Sequence, residues 1–144
     1  MKIQQLSLFL ENKPGHLSTA CRALADAGIN IVTLSLADTQ QFGILRLIVQ
    51  DWQTARSVLE QAGYVVNVTE VVATEVSDRP GGLADLLTTI EKSDTNIEYM
   101  YAFTFRRQDK AVLVFRFDAP DAAIKTLTEN GINVIDEVEL FGQG

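Results

Sequence analysis

Cysteine and histidine occur once each in the 144-residue chain, as Cys21 and His16. One cysteine excludes an internal disulfide. With one histidine beside it, the chain cannot build a zinc finger, a histidine-rich metal site or a redox Cys-x-x-Cys pair. Three prolines and nine glycines are too few for a collagen-like or proline-rich chain. The longest apolar runs, such as Val71–Ala73 and Ala111–Phe115, fall far short of the ~20 residues that span a bilayer. At the start, Met1-Lys2-Ile3-Gln4-Gln5 places glutamines where a secretory signal keeps its apolar core. These absences point to a cytoplasmic protein with no membrane contact, no metal and no other cofactor.

Positive charge is also scarce. Twelve Lys and Arg stand against nineteen Asp and Glu, a net charge of −7. The deficit lies mainly in residues 71–144, with seven basic and thirteen acidic groups. The one basic cluster, Arg106-Arg107 with Lys110, reads as a loop between strands. An acidic domain repels phosphate backbones, which argues against nucleic-acid binding. What remains is 47% hydrophobic and 22% charged, the composition of a folded globular chain.

Within that composition lies an internal repeat. Asn12-Lys13-Pro14-Gly15-His16-Leu17 matches Asp78-Arg79-Pro80-Gly81-Gly82-Leu83 at an offset of 66, and Asn30-Ile31 matches Asn96-Ile97 at the same offset. Gly63-Tyr64-Val65-Val66 matches Gly131-Ile132-Asn133-Val134 at 68. The chain therefore reads as two units, 1–69 and 70–144.

In the first unit, Leu6, Leu8 and Leu10 alternate in a strand. Leu17, Ala20, Cys21 and Leu24 form a helical stripe that Gly28 ends. Val32, Leu34 and Leu36 alternate in a second strand, a turn follows near Gln40–Gly43, and Ile44–Val49 make a third. Asp51 caps a helix with Ala55, Val58, Leu59 and Ala62 inward and Gly63 as its stop, and Val65–Val68 finish the unit. The second unit repeats this with a strand over Glu70–Val76 and a helix marked by Leu83, Leu86, Leu87 and Ile90. A hairpin of Ile97–Phe105 with Ala111–Phe117 follows, then a helix from Pro120 to Asn130-Gly131. The last strand is expected over Val134–Leu140, with Asp136, Glu137 and Glu139 on its solvated face. The order is βαββαβ, twice, with helices on one face of antiparallel sheets.

The loops Asn12–Leu17 and Asp78–Leu83 are the strongest candidate sites. Proline ends the strand, glycine lets the backbone approach a ligand closely, and the free N–H groups of the following helix suit a small carboxylate. Pro-Gly also makes a tight strand-to-helix turn with no ligand at all, and both readings stay open on these residues. Other chemistry finds little support. No G-x-G-x-x-G follows a strand, and no phosphate-binding G-x-x-x-x-G-K-[ST] occurs. His16 lies two residues before Ser18 on the opening turn of a helix, a spacing that does not aim imidazole at hydroxyl. Cys21 reads as inert core. Tyr99, Tyr101, Phe103 and Phe105 share one side of a strand, as core, interface or pocket lining.

These loops, with Gly28-Ile29-Asn30-Ile31 and Asn96-Ile97, resemble the ACT domain, a small-molecule-binding regulatory module. Two tandem copies would cover nearly the whole chain. The resemblance implies an α+β fold of two ferredoxin-like units, their antiparallel sheets side by side and their helices on one face. It implies an amino acid bound at the seam, with no catalytic residue. Asn12, Pro14, Gly15, His16 and Leu17 would face Asn96 and Ile97. Asp78, Pro80, Gly81, Gly82 and Leu83 would face Asn30 and Ile31. The implied partners are a free amino acid, a metabolic enzyme under its control and a second copy in a homodimer. Two departures stand out. Asp78 replaces the amide of Asn12, and Ser93-Asp94-Thr95 lacks the glycine found at Gly28. A regulatory subunit acting through protein contact, with vestigial pockets, is the alternative. An acylphosphatase-like hydrolase would need an arginine in its phosphate loop, where Arg79 alone is available.

Overall fold

The computed structural model describes residues 2–11, 13–38, 41–103 and 108–141. Among them the order is β1 (Ile3–Glu11), α1 (His16–Asp26), β2 (Ile31–Asp38), β3 (Phe42–Val49), α2 (Trp52–Gln61) and β4 (Val66–Ser77), then α3 (Gly82–Glu91), β5 (Ile97–Ala102), β6 (Lys110–Phe117), α4 (Pro120–Glu129), β7 (Val134–Ile135) and α5 (Glu137–Phe141). Two compact units result: Gln4–Thr69, and Glu70–Gly144 together with Met1–Ile3. β4 runs through the division, so a single strand closes the first βαββαβ and opens the second.

In the first unit β3 pairs antiparallel with β1 on one side and β2 on the other. Cross-strand partners project to the same face. Leu6 opposite Leu47 and Leu8 opposite Leu45 therefore build one apolar surface, which Ala20 and Leu24 of α1 and Ala55 and Leu59 of α2 cover. Leu34 and Leu36 lie opposite Leu47 and Leu45 on that same face, yet they stay 41% and 47% exposed. Only the neighbouring strands lie under the helices, and β2 sits at the edge of this group.

The second unit repeats the arrangement around β6, with β4 and β5 antiparallel on its two sides. Val72, Leu113, Phe115 and Phe117 meet Leu86 and Ile90 of α3 and Ala123 and Leu127 of α4. The rings of Phe115 and Phe117 stack at 5.3 Å between centroids.

Several expectations need correction. The strand over Val134–Leu140 is only two residues long, because Asp136 turns the chain into α5. Its carboxylate accepts the Glu139 N–H at 2.8 Å, and its carbonyl accepts the Leu140 N–H at 3.0 Å. β3 starts at Phe42 rather than Ile44, while Gln40, Phe105, Arg106 and Arg107 lie outside the described residues. Leu17, Leu83 and Ala62 are exposed, being near helix ends that overhang the sheet, and Cys21 is half-buried rather than core. Asp94 stands where the first unit has Gly28 and takes up the missing conformation itself, with φ +55° against +75°. Aspartate is among the few residues that tolerate this left-handed region.

Burial orders the expected cost of truncation. Leu24→Ala, in the covered core, loses about 2–5 kcal/mol of unfolding free energy, and Leu36→Ala, on the edge strand, changes it by less than about 0.5 kcal/mol. Urea denaturation of both variants measures this. Equal losses would overturn the exposed-edge description.

Candidate functional site

The two repeated loops form the same hydrogen bonds at the same offset. In the first, the Lys13 N–H donates to the Glu11 carbonyl at 2.8 Å and the His16 N–H to the Lys13 carbonyl at 3.3 Å. In the second, the Arg79 N–H donates to the Ser77 carbonyl at 3.0 Å and the Gly82 N–H to the Arg79 carbonyl at 3.0 Å. Gly15 and Gly81 have φ of +90° and +86°, which L side chains seldom adopt. Each glycine carbonyl then accepts the first bond of its helix, from Thr19 N–H at 2.9 Å and from Asp85 N–H at 2.9 Å. Neither α1 nor α3 has a side chain capping its start, whereas α2 does: the Asp51 carboxylate accepts the Thr54 N–H at 3.2 Å. A helix start without a cap leaves backbone donors for another acceptor.

Side chains distinguish the two copies. Lys13 reaches back to Glu11 at 2.9 Å, and its hydrogen bond and charge hold that carboxyl below the usual range. Arg79 reaches forward to Asp85 at 3.0 Å. The carbonyl of His16 accepts from the Tyr64 hydroxyl at 3.3 Å. At the matching position Gly82 is buried, and a Cβ there would lie 2.0 Å from the Ser77 carbonyl oxygen, so no larger residue fits. Asn12 lies outside the described residues, and the Asp78 N–H donates to the Asp109 carbonyl at 3.2 Å.

Asn30-Ile31 and Asn96-Ile97 enter the edge strands, and a bulge follows each pair. Register shifts between Ile31 and Thr33 and again between Ile97 and Tyr99, the same offset apart. A bulge re-aims the residues beside it. Within a unit these pairs do not meet the loops. Glu11 stands opposite Phe42 and Ile31 opposite Val49, seven positions along β3, or about 23 Å at ~3.3 Å per residue. Ser77 opposite Lys110 and Ile97 opposite Phe117 are separated in the same way. One amino acid cannot touch both halves of the motif within a single unit.

A residue beside the motif that sequence reasoning missed is Asp118. Its carboxylate accepts the Thr95 hydroxyl at 2.6 Å, the Asn96 N–H at 2.9 Å and the Asn96 side-chain amide at 3.2 Å. Asn96 thus spends its side-chain donor on its own unit. The signal was an aspartate just before a helix, which at Asp51 means a cap and here means a clamp on the start of β5. Tyr99 and Tyr101 are half-buried opposite Arg116 and Val114, on the sheet face away from α3 and α4, and Phe103 is buried. Among the described residues no group of three His, Cys, Asp or Glu side chains could hold a metal, and no helix is long and apolar enough to cross a membrane.

Comparison with known proteins gives three findings. The family model described as an ACT domain pair matches residues 1–142. Protein BT0572 from Bacteroides thetaiotaomicron is similar in structure, with a TM-score of 0.90 and 36% identity over 98% of this chain and 96% of that one. The regulatory subunits of aspartate kinase from Thermus thermophilus and Thermus flavus share the fold at TM-scores of 0.65 and 0.63, with 17% and 16% identity. Each match covers 88% of this chain, and 91% and 90% of theirs. No curated protein sequence matches the chain.

Three hydrogen bonds to the ionised form, the Thr95 hydroxyl first, hold the Asp118 carboxyl below its ordinary 3.8. The stabilisation they give is present above that value and is lost as pH falls through the lowered folded value. Asp118→Asn is therefore expected to melt below the parent at neutral pH, with the gap closing in acid below pH 3.8. A gap of constant size down to that range would show that Asp118 acts without its charge.

Proposed function

Because the chain belongs to the ACT domain pair family, we propose that it is a non-catalytic regulatory protein whose repeated strand-to-helix loops bind a free amino acid. The observation that supports this is the twofold occurrence of one loop: a left-handed glycine, a proline before it and an uncapped helix start. Backbone N–H groups at a helix N-terminus attract a carboxylate, with about 0.3–1 kcal/mol from the helix dipole. The rest of the affinity has to come from further hydrogen bonds and from burial of the ligand side chain. The resemblance groups Asn12 with Asn96 and Asp78 with Asn30, and an Asn or Asp side chain there would hold the ligand ammonium. Control of a metabolic enzyme rests on family likeness, since two of the proteins sharing this fold are regulatory subunits of aspartate kinase.

The copies are unequal on this reading. Asp78 places a negative charge beside the second loop, where it opposes a bound carboxylate and favours an ammonium. The first loop, where the His16 N–H already bonds the Lys13 carbonyl and the Gly15 and Leu17 amides remain, is therefore the better carboxylate site.

A thermal-shift screen against the standard amino acids, followed by calorimetry, tests the proposal. A ligand that binds the native state at 100 times its Kd adds ~2.7 kcal/mol of stability. Binding is expected to weaken at least tenfold in Gly15→Ala, which strains the left-handed loop residue, and in the Asn12→Ala, Asn96→Ala pair. Unchanged affinity in that pair would sink the residue grouping. A blank across the whole set would favour a subunit that acts by protein contact alone.

A further inference from the structure

We propose that a cleft inside the second unit, bordered by Arg79 and Gly82 of its loop and extending from there to the loop between α4 and β7, is a binding site for a small zwitterion of the amino-acid class. The cleft has a volume of ≈ 310 Å³ and lies between the end of β4, the flank of α3 and the loop from α4 to β7. β7 pairs with Ala73 and Thr74, and the Glu75 N–H extends that register to the Asn133 carbonyl at 3.2 Å, which sets the loop before β7 along one wall of the cleft. Buried Val76 and Leu86 with half-buried Ile132 line its apolar part. Its size sits at the lower end of ligand pockets, roughly 300–1,000 Å³, and suits one amino acid.

The polar wall decides what fits. Glu75, its side chain 12% exposed, has both oxygens engaged: Oε1 accepts from the Asn133 amide at 2.9 Å, and Oε2 lies 3.5 Å from Lys110 Nζ. Lys110 therefore carries ammonium hydrogens beyond the one aimed at Glu75. Arg79 uses Nη1 on the Pro80 carbonyl and Nη2 on Asp85, which leaves guanidinium hydrogens over. These two cations offer donors for a carboxylate. Asp85, its side chain 72% exposed, directs only Oδ2 at Arg79 and offers Oδ1 to an ammonium. The surrounding half of the chain holds thirteen acidic groups and seven basic ones, a field that resists a free anion and leaves a zwitterion unaffected. A carboxylate at Lys110 and the spare Arg79 hydrogens, an ammonium at Asp85 Oδ1 next to that ion pair, and a short apolar side chain over Leu86 would use the groups the cleft presents.

The site shares Arg79 and Gly82 with the second loop and no residue with the first, and the experiment separates it from the first loop. Backbone amide NMR of the full chain, titrated with each standard amino acid at millimolar concentration, is expected to shift Thr89, Lys110, Ile132 and Asn133 with at least one of them. Thr89→Trp fills the cleft from α3 and Lys110→Gln removes a cation. Each should weaken that response at least tenfold, while Gly15→Ala in the other unit leaves it intact. The responding ligand's decarboxylated amine and deaminated acid, isobutylamine and 3-methylbutanoate in the case of valine, should bind at least tenfold more weakly. The proposal is overturned if no amino acid moves these amides, if the response survives in Thr89→Trp, or if either truncated compound binds as well as its parent. A response abolished by Gly15→Ala and untouched by Thr89→Trp would overturn the cleft and leave the loop reading standing.

Discussion

A left-handed glycine after the first strand of each unit sets where the rest of the unit goes. An extended strand that met a helix without such a residue would continue past the sheet edge. Gly15 and Gly81, at φ +90° and +86°, instead turn the backbone over and start α1 and α3 directly above the strands they leave. That placement brings Ala20 and Leu24 down onto Leu6 and Leu8, and Leu86 and Ile90 onto Val72 and Phe115. The burial that stabilises each unit thus depends on a conformation that costs most L residues about 1–2 kcal/mol. The same turn leaves the helix start uncapped, so the packing requirement and the candidate ligand donors arise from one residue. Fold and site are coupled at that point.

Much of this was legible because the repeat is chemical as well as textual. Matching Asn12–Leu17 to Asp78–Leu83 at a fixed offset anticipated two loops that share three backbone hydrogen bonds, from Lys13, His16 and Thr19 and from Arg79, Gly82 and Asp85. What was not legible required knowledge of neighbours. Leu34 and Leu36 alternate correctly and share the apolar face, but no periodicity says that their strand lies at an edge. The bulges after Ile31 and Ile97 leave no mark in composition, since Val32 and Glu98 are ordinary strand residues chemically unlike each other. Val134–Leu140 has strand-like residues, and the local hydrogen bonds of Asp136 outweigh that tendency. Asp94 shows the reverse case. The glycine is absent from the second unit, and Asp94 keeps the left-handed turn.

The two units therefore share a backbone and differ in nearly every polar contact upon it. Lys13 bonds backward to Glu11 and Arg79 forward to Asp85; His16 corresponds to Gly82 in the sequence repeat; Asp51 caps a helix and Asp118 clamps a strand. If the pair served only as a symmetrical scaffold, the loops would need no such divergence, because packing beneath them is met by the shared glycine and leucines. The divergence lies in polar contacts, some of them partly buried as at Thr95 and Tyr64, over a common apolar core. On that argument the second unit is not a weakened copy of the first. Its clamp on Asn96 removes one donor from the motif, while the arginine turned toward α3 and the short β7 beside it assemble donors elsewhere. Arg79, Asp85 and Lys110 thus meet at one cleft of the second unit, apart from the clamp on Asn96.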